Sequence, residues 1–273
     1  TKSIVHYLEP LGYRVHLSGK THINPKSSFP FEYSGKKNPD FKAIDQLLTE
    51  SSRDGTPFCL FACSNEPHGP WNKGDASQYD SSTITLPPYF VDTRETRENM
   101  VDYLAEITYF DGQVGELLTL LDKHGIAENT MVVVVSEQGS SFPFGKWTCY
   151  DTGLQSACIV RWPGQVKVGS VTDAMVEYVD IAPTFIDAAG GSREAAIDGM
   201  SFVPVLTGET NGHKRFVFGE MTTRGINKGS LYFGIRSIRS EKYKYIVNFT
   251  PDVTFQNACT NSTIFKSWRQ KAS

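Results

Sequence analysis

Three short segments of this 273-residue chain collect side chains able to do chemistry. The first is Ser18-Gly-Lys-Thr-His22, where Lys20 and His22 lie two residues apart and can converge on one anionic group. Lysine supplies a fixed positive charge, and histidine exchanges a proton near neutral pH. The second is Asn65-Glu-Pro-His-Gly-Pro-Trp71, in which Pro67, Gly69 and Pro70 hold His68 in a stiff loop suited to a positioned acid or base. The third is Ser136-Glu-Gln-Gly139 followed by Gly145-Lys-Trp147. Glu137 and Gln138 offer a carboxylate and an amide carbonyl, hard oxygen ligands for Ca²⁺ or Mg²⁺, and Lys146 sits in an aromatic loop that could cover a site. Taken singly, each would also pass as a solvated lysine, an exposed loop histidine or a strand-end carboxylate. Together they describe a cation, two lysines and two histidines, a set built for a tetrahedral oxyanion and its leaving group. Trp71, Trp147 and Arg224, with the basic stretch reaching Lys228, add aromatic and basic side chains of the kind a carbohydrate-facing surface uses.

The elements that must position these residues alternate between helix and strand. Residues 4–11 read as a helix closed by Gly12, 13–17 as a strand, 41–51 as a helix with Phe41, Ile44, Leu47 and Leu48 on one face, and 58–62 as a strand. A long Pro-, Gly- and Ser-rich loop covers 64–91, and the strongest helical periodicity runs from 93 to 124. The β-branched run at 131–135 suits a central parallel strand, 157–162 another strand, and 178–189 a helix. All three chemical segments follow a predicted strand, the edge at which open parallel sheets bind their ligands. This pattern predicts an α/β fold with a mostly parallel sheet and helices on both faces over residues 1–207. Short strands at 216–220, 231–236 and 243–247 predict a small antiparallel C-terminal subdomain over 208–273.

Composition excludes other classes. A net charge of −3 and a pI near 6.1 leave no footprint for nucleic acid. No apolar run is long enough to span a membrane. Five cysteines at irregular spacings, Cys59, Cys63, Cys149, Cys158 and Cys259, form neither a zinc pattern nor a disulfide framework. Cys59 and Cys158, inside apolar strand-like runs, read as small buried hydrophobes. The opening TKSIVHYLEP carries no signal-peptide pattern, and both ends read as a chain entered and left midway.

GYRVHLSGKTH resembles the second sulfatase signature, and NEPHGPW is similar to that family's Pro-His-x-Pro loop. The segments LLTLLDKHGIAENTMVVVVSEQGS and GKWTCYDTGLQSACIVRWPG also match, in the family's order, so that the resemblance spans residues 1 to about 250. It implies an alkaline-phosphatase-like fold, a bound Ca²⁺ (ahead of Mg²⁺) and a formylglycine nucleophile made from Cys or Ser in a Cys/Ser-x-Pro-x-Arg motif. By this resemblance, sulfate esters or N-sulfates on a sulfated carbohydrate would be hydrolysed through a formylglycine hemiester, in a periplasmic, secreted or lysosomal setting. Lys20 would contact the formylglycine and the sulfate, and His22 would expel sulfate from the covalent intermediate. His68 and Lys146 would bind sulfate and help protonate the leaving oxygen. Glu137 and Gln138 would be two of the metal ligands, and the last segment resembles bacterial relatives of heparan N-sulfatase.

Two departures stand out. The family has Asp followed by Asn or His where this chain has Glu137 and Gln138, each arm one methylene longer, about 1.5 Å in reach. No cysteine here begins Cys-x-Pro-x-Arg. The family places that motif, with two metal-binding aspartates, ahead of Lys20, so a preceding segment is the expected partner that completes the site. Two further readings stay open: a phosphomonoester or phosphonate hydrolase of the same superfamily, and a pseudoenzyme that binds sulfated glycan without cleaving it.

Overall fold

The computed structural model describes residues 2–192, 197–222 and 226–272. Contacts divide the chain into two compact units, Thr1–Asn65 with Gln113–Val133 and Val160–Arg215, and Glu66–Gly112 with Val134–Ile159 and Phe216–Ser273. The elements in chain order are α1 (Val5–Leu8), β1 (Arg14–Gly19), β2 (Glu32–Ser34), α2 (Phe41–Asp54), β3 (Phe58–Cys63), α3 (Arg94–Lys123), β4 (Val132–Val135), α4 (Asp151–Leu154), β5 (Cys158–Arg161), α5 (Ile181–Ala188), α6 (Val203–Leu206), β6 (Val217–Met221), β7 (Ile235–Arg239), β8 (Lys244–Asn248) and α7 (Thr263–Ala272).

In the first unit β1 is the middle of a parallel sheet ordered β2-β1-β3. Side chains alternate along a strand, and β3 shows what each face meets. Phe58, Leu60 and Ala62 pack with Ile44 and Leu48 of α2 and Leu121 of α3. Cys59 and Phe61 pack with Val5 and Leu8 of α1 and Ile186 of α5. Helices therefore cover both faces, as the sequence pattern predicts. The Asp40 carboxylate caps α2 by accepting from the Ala43 N–H at 3.1 Å, and the α2 and α3 ends are tied where Lys123 and His124 reach Asp45 at 2.8 and 2.7 Å.

In the second unit β6, β7 and β8 form an antiparallel sheet. One face, with Met221, Ile235 and Ile246, packs on Cys149 and Phe233. A second core joins Met100 of α3, Phe142, and Ile264 and Trp268 of α7.

Three local expectations are corrected. The Pro-containing loop hides β2, whose Glu-Tyr-Ser has no β-branched run; its pairing comes from the register His16↔Glu32 to Ser18↔Ser34, with Arg14 on Glu32 at 2.6 Å. The strand expected at 231–236 is displaced to β7, because the ladder runs from Val217↔Arg239 to Met221↔Ile235 and leaves Leu231 and Tyr232 about four-fifths exposed. Cys158 is exposed rather than buried, on a strand that pairs only with β4 among the described residues.

A buried polar knot fastens the start of α5. Asp180, fully buried, accepts from the backbone N–H groups of Glu177 and Met200 and lies 3.1 Å from His213 and 2.8 Å from Lys214. Lys214 also meets Glu177 at 2.6 Å. Burial alone would raise the Asp180 pKa, but Lys214 and the two N–H groups outweigh it and hold the carboxyl below its ordinary value. Such a group contributes stability above its unfolded pKa, and that contribution is lost as pH falls through the folded one. Removing one partner of a buried pair costs roughly 3–5 kcal/mol, so Lys214→Met should lower the urea midpoint sharply at pH 7. Asp180→Asn should also flatten the loss of stability below about pH 4, measured by urea unfolding across pH.

Candidate active site

In the first unit the polar side chains emerge where β1 and β3 end side by side. The register Gly19↔Cys63 continues as a bond from the Lys20 N–H to the Cys63 carbonyl, 2.9 Å. Gly19 sits at φ +108°, and a Cβ there would stand 2.1 Å from that carbonyl oxygen. Only glycine lets the two strand ends approach this closely, which fixes where Lys20 leaves the sheet. Asn38 accepts from Ser64 Oγ at 3.2 Å and from the Asn65 N–H at 3.0 Å, pinning the end of β3. Beneath lies a polar chain. Ser18 Oγ accepts from Ser34 Oγ and from the Asp40 N–H, both at 2.8 Å, and His16 Nε2 meets Ser34 Oγ at 2.8 Å. His16 is buried, and burial lowers its pKa, so it is a neutral structural histidine that the sequence reading passed over. Lys20 is half-buried and His22 is exposed.

In the second unit His68 is exposed on its loop, with Nδ1 2.7 Å from the Gly69 carbonyl oxygen. A carbonyl only accepts, so Nδ1 carries the hydrogen and Nε2 is the atom left to exchange a proton. Trp71, three residues on, stacks on Phe142 (centroids 4.9 Å, 23°) and tilts against Tyr103 at 5.2 Å. Its ring thus packs the His68 loop onto the segment that carries Lys146.

That segment, residues 136–153, is knitted by its own backbone. The Gly139 N–H donates to Gly153 O at 3.1 Å, the Lys146 N–H to Ser140 O at 2.8 Å, Thr148 Oγ1 to Gly145 O at 2.7 Å and Thr152 Oγ1 to Phe144 O at 2.6 Å. A Cβ on Gly139 would stand 1.7 Å from the Thr152 carbonyl oxygen. Phe144 and Trp147 both adopt φ of 65°, a left-handed conformation that costs about 1–3 kcal/mol per residue and persists only where the surroundings impose it. Lys146 Nζ lies 5.2 Å from the Trp147 ring centroid, within cation–π range. Asp151 anchors the segment to the antiparallel sheet through Arg239 at 2.8 Å and Lys244 at 2.9 Å.

Glu137 is exposed and Gln138 half-buried just beyond β4. Their oxygens suit a hard cation, but Ca²⁺ takes six to eight such ligands. Among the described residues no group of three or more His, Cys, Asp or Glu side chains is arranged to hold an ion. The pair therefore does not make a metal site alone. Arg224 lies outside the described residues. The structure joins the His68 and Lys146 segments on one aromatic cluster and holds Lys20 and His22 in the other unit. None of the five thiols is poised as a nucleophile: burial raises all of them, Cys59 to about 12 and Cys259 to about 11.

Residues 1–192 match the sulfatase family model, and residues 139–257 match the model for the C-terminal part of N-sulphoglucosamine sulphohydrolase. The chain belongs to the sulfatase family. It is 31% identical to an ulvan-active sulfatase of Formosa agariphila over 94% of its length and 52% of that protein's. It is 22% identical to human N-sulphoglucosamine sulphohydrolase over 93% of its length and 58% of that protein's. The chain thus spans about half the length of the curated relatives it matches. Its fold is shared with a protein solved in complex with its substrate D-glucosamine-2-N,6-O-disulfate, at a TM-score of 0.72 and 18% identity, covering 100% of this chain and 80% of that one. No helix among the described residues is long and apolar enough to cross a membrane.

The close approach at Gly19 gives a direct test. Gly19→Ala should destabilise the protein by at least about 2 kcal/mol, since it combines left-handed strain with a carbonyl clash. Ala at Gly112, where a Cβ meets nothing within 4 Å, should be tolerated in the same thermal melts.

Proposed function

We propose that the whole protein hydrolyses sulfate esters or N-sulfates on a sulfated carbohydrate, with Lys20, His22, His68 and Lys146 as its charge-stabilising and proton-transferring residues. The observation that carries this reading is the match to the sulfatase model over a stretch in which Lys20, His22 and His68 follow rigidly held strand ends. A sulfate ester leaves as a dispersed anion, so the site must offer fixed cations and a proton for the departing oxygen. Lys20 and Lys146 supply the cations. His68, tethered through Nδ1, offers Nε2 to the leaving oxygen, and His22 takes part in sulfate release. Formylglycine, which the family uses, would supply the nucleophile when present, together with Ca²⁺, toward which Glu137 and Gln138 would give two oxygen ligands. Trp147 and Arg224 are the residues we assign to sugar contacts. The matches to N-sulphoglucosamine sulphohydrolase and to a protein whose substrate is a disulfated glucosamine support a sulfated amino sugar as substrate. Export to a periplasmic, secreted or lysosomal compartment goes with such a substrate.

Turnover of 4-nitrophenyl sulfate by the whole protein should exceed that of 4-nitrophenyl phosphate. Lys20→Ala and His68→Ala should each lower kcat/KM by on the order of 10² or more while the melting temperature stays within about 2 °C. Faster phosphate hydrolysis would replace the sulfatase reading with a phosphatase one. Binding of sulfated glycan with no turnover would make the protein a lectin-like pseudoenzyme.

A further inference from the structure

Trp147 stands at φ 65°, a conformation that a bulky side chain resists and a glycine adopts freely. The backbone on either side is fixed, since the Lys146 N–H donates to Ser140 O at 2.8 Å and Thr148 Oγ1 donates to Gly145 O at 2.7 Å. A tryptophan in so unfavourable a place needs a reason in its ring. Burial in a core is not that reason. Trp147 is half-buried, packs in none of the four hydrophobic cores and stacks on no other aromatic ring among the described residues. Trp71 and Trp268, by contrast, both belong to a core. The contact the Trp147 ring does make is with Lys146, whose Nζ lies 5.2 Å from its centroid.

The ammonium of Lys146 has no hydrogen-bond acceptor and no ion-pair partner among the described residues. Other lysines are held by carboxylates: Lys123 by Asp45, Lys214 by Glu177 and Asp180, Lys244 by Asp151. A carboxylate would hold Lys146 equally well, but it would cancel the charge that an incoming anion is to meet. An aromatic face attracts a cation through its quadrupole and carries no net charge. A lysine seated on it gives up rotamer freedom before the anion arrives and keeps its full positive charge.

We propose that Trp147 is a positioning residue for Lys146: one face of its indole seats the ammonium for an anion and leaves the charge unneutralised. That the anion is a sulfate rests on the sulfatase reading; the seat rests on the ring contact and the strained backbone.

The experiment uses the whole protein and inorganic sulfate, which has no sugar to stack, so that loss of a sugar contact does not register. Sulfate affinity is read by NMR from the side-chain methylene protons of Lys146, assigned by their loss in Lys146→Gln. In the wild type these protons should lie upfield of those of solvated lysines, through the ring current of Trp147. Trp147→Gly should leave the melting temperature no lower, because it relieves the left-handed strain, while abolishing the upfield shift and raising the sulfate Kd about threefold or more. A tryptophan kept only for packing would show the reverse, a lower melting temperature with an unchanged sulfate Kd. Trp147→Phe, which keeps an aromatic face, should restore part of both the shift and the affinity. An unchanged sulfate Kd in Trp147→Gly overturns the proposal, as do wild-type Lys146 signals that do not respond to sulfate. Should the glycine variant not fold, trifluorotryptophan at position 147 keeps the ring and weakens its quadrupole; it should raise the sulfate Kd, and no change overturns the proposal equally. Failure of the sulfatase reading has a different signature, a sulfate affinity that depends on Trp147 in a protein that turns over no sulfate ester.

Discussion

Backbone brought hard against backbone is the constraint on which the candidate site depends. Gly19 under the Cys63 carbonyl and Gly139 under the Thr152 carbonyl leave no room for even one methyl group. Each contact stands one residue from a polar side chain to which we assign a role, Lys20 in one case and Gln138 in the other. A lysine on a free loop would lose rotamer and backbone entropy on meeting a sulfate group. A lysine leaving a locked strand end has already lost the backbone part in folding. The left-handed Phe144 and Trp147 show the same arrangement on the Lys146 segment, where side-chain and backbone bonds from Thr148, Thr152 and Ser140 hold a conformation the sequence would not choose by itself.

The protonation chemistry follows from equally local bonds. The Gly69 carbonyl sets the His68 tautomer, so one nitrogen of a solvent-facing imidazole is committed to the loop and the other is free for exchange. His16, by contrast, is buried with Ser34 and kept neutral, and it joins β1 to β2. Two histidines of the same protein thus differ in what each ring nitrogen meets and in burial, His16 being structural and His68 the one we propose as functional.

Much of this was legible in the sequence, and the reasons differ by element. The α/β alternation, the helix over α3 and the placement of Lys20, His68 and Glu137 after strands follow from periodicity and breakers, which are local. The family resemblance through GYRVHLSGKTH and NEPHGPW is borne out by the match over residues 1–192. β2 and the register of β7 were not legible, because both are decided by pairing with distant strands rather than by their own residues. Glu106 escaped notice because a glutamate inside a helical pattern reads as a solvated face; only the fold shows that it turns inward to Asn72 and Lys73. Trp71 read as a surface aromatic, and the fold gives its ring to the cluster with Phe142 and Tyr103.

We propose that His68 and Lys146, whose segments the second unit joins on one aromatic cluster, serve one sulfate group. A crystal structure of the whole protein with a sulfated glucosamine bound tests it most directly. The Lys146 Nζ atom and His68 Nε2 are expected within hydrogen-bond distance, about 3.2 Å or less, of a single sulfate and its bridging atom. A sulfate held elsewhere, with Lys146 and His68 turned to solvent, would contradict it.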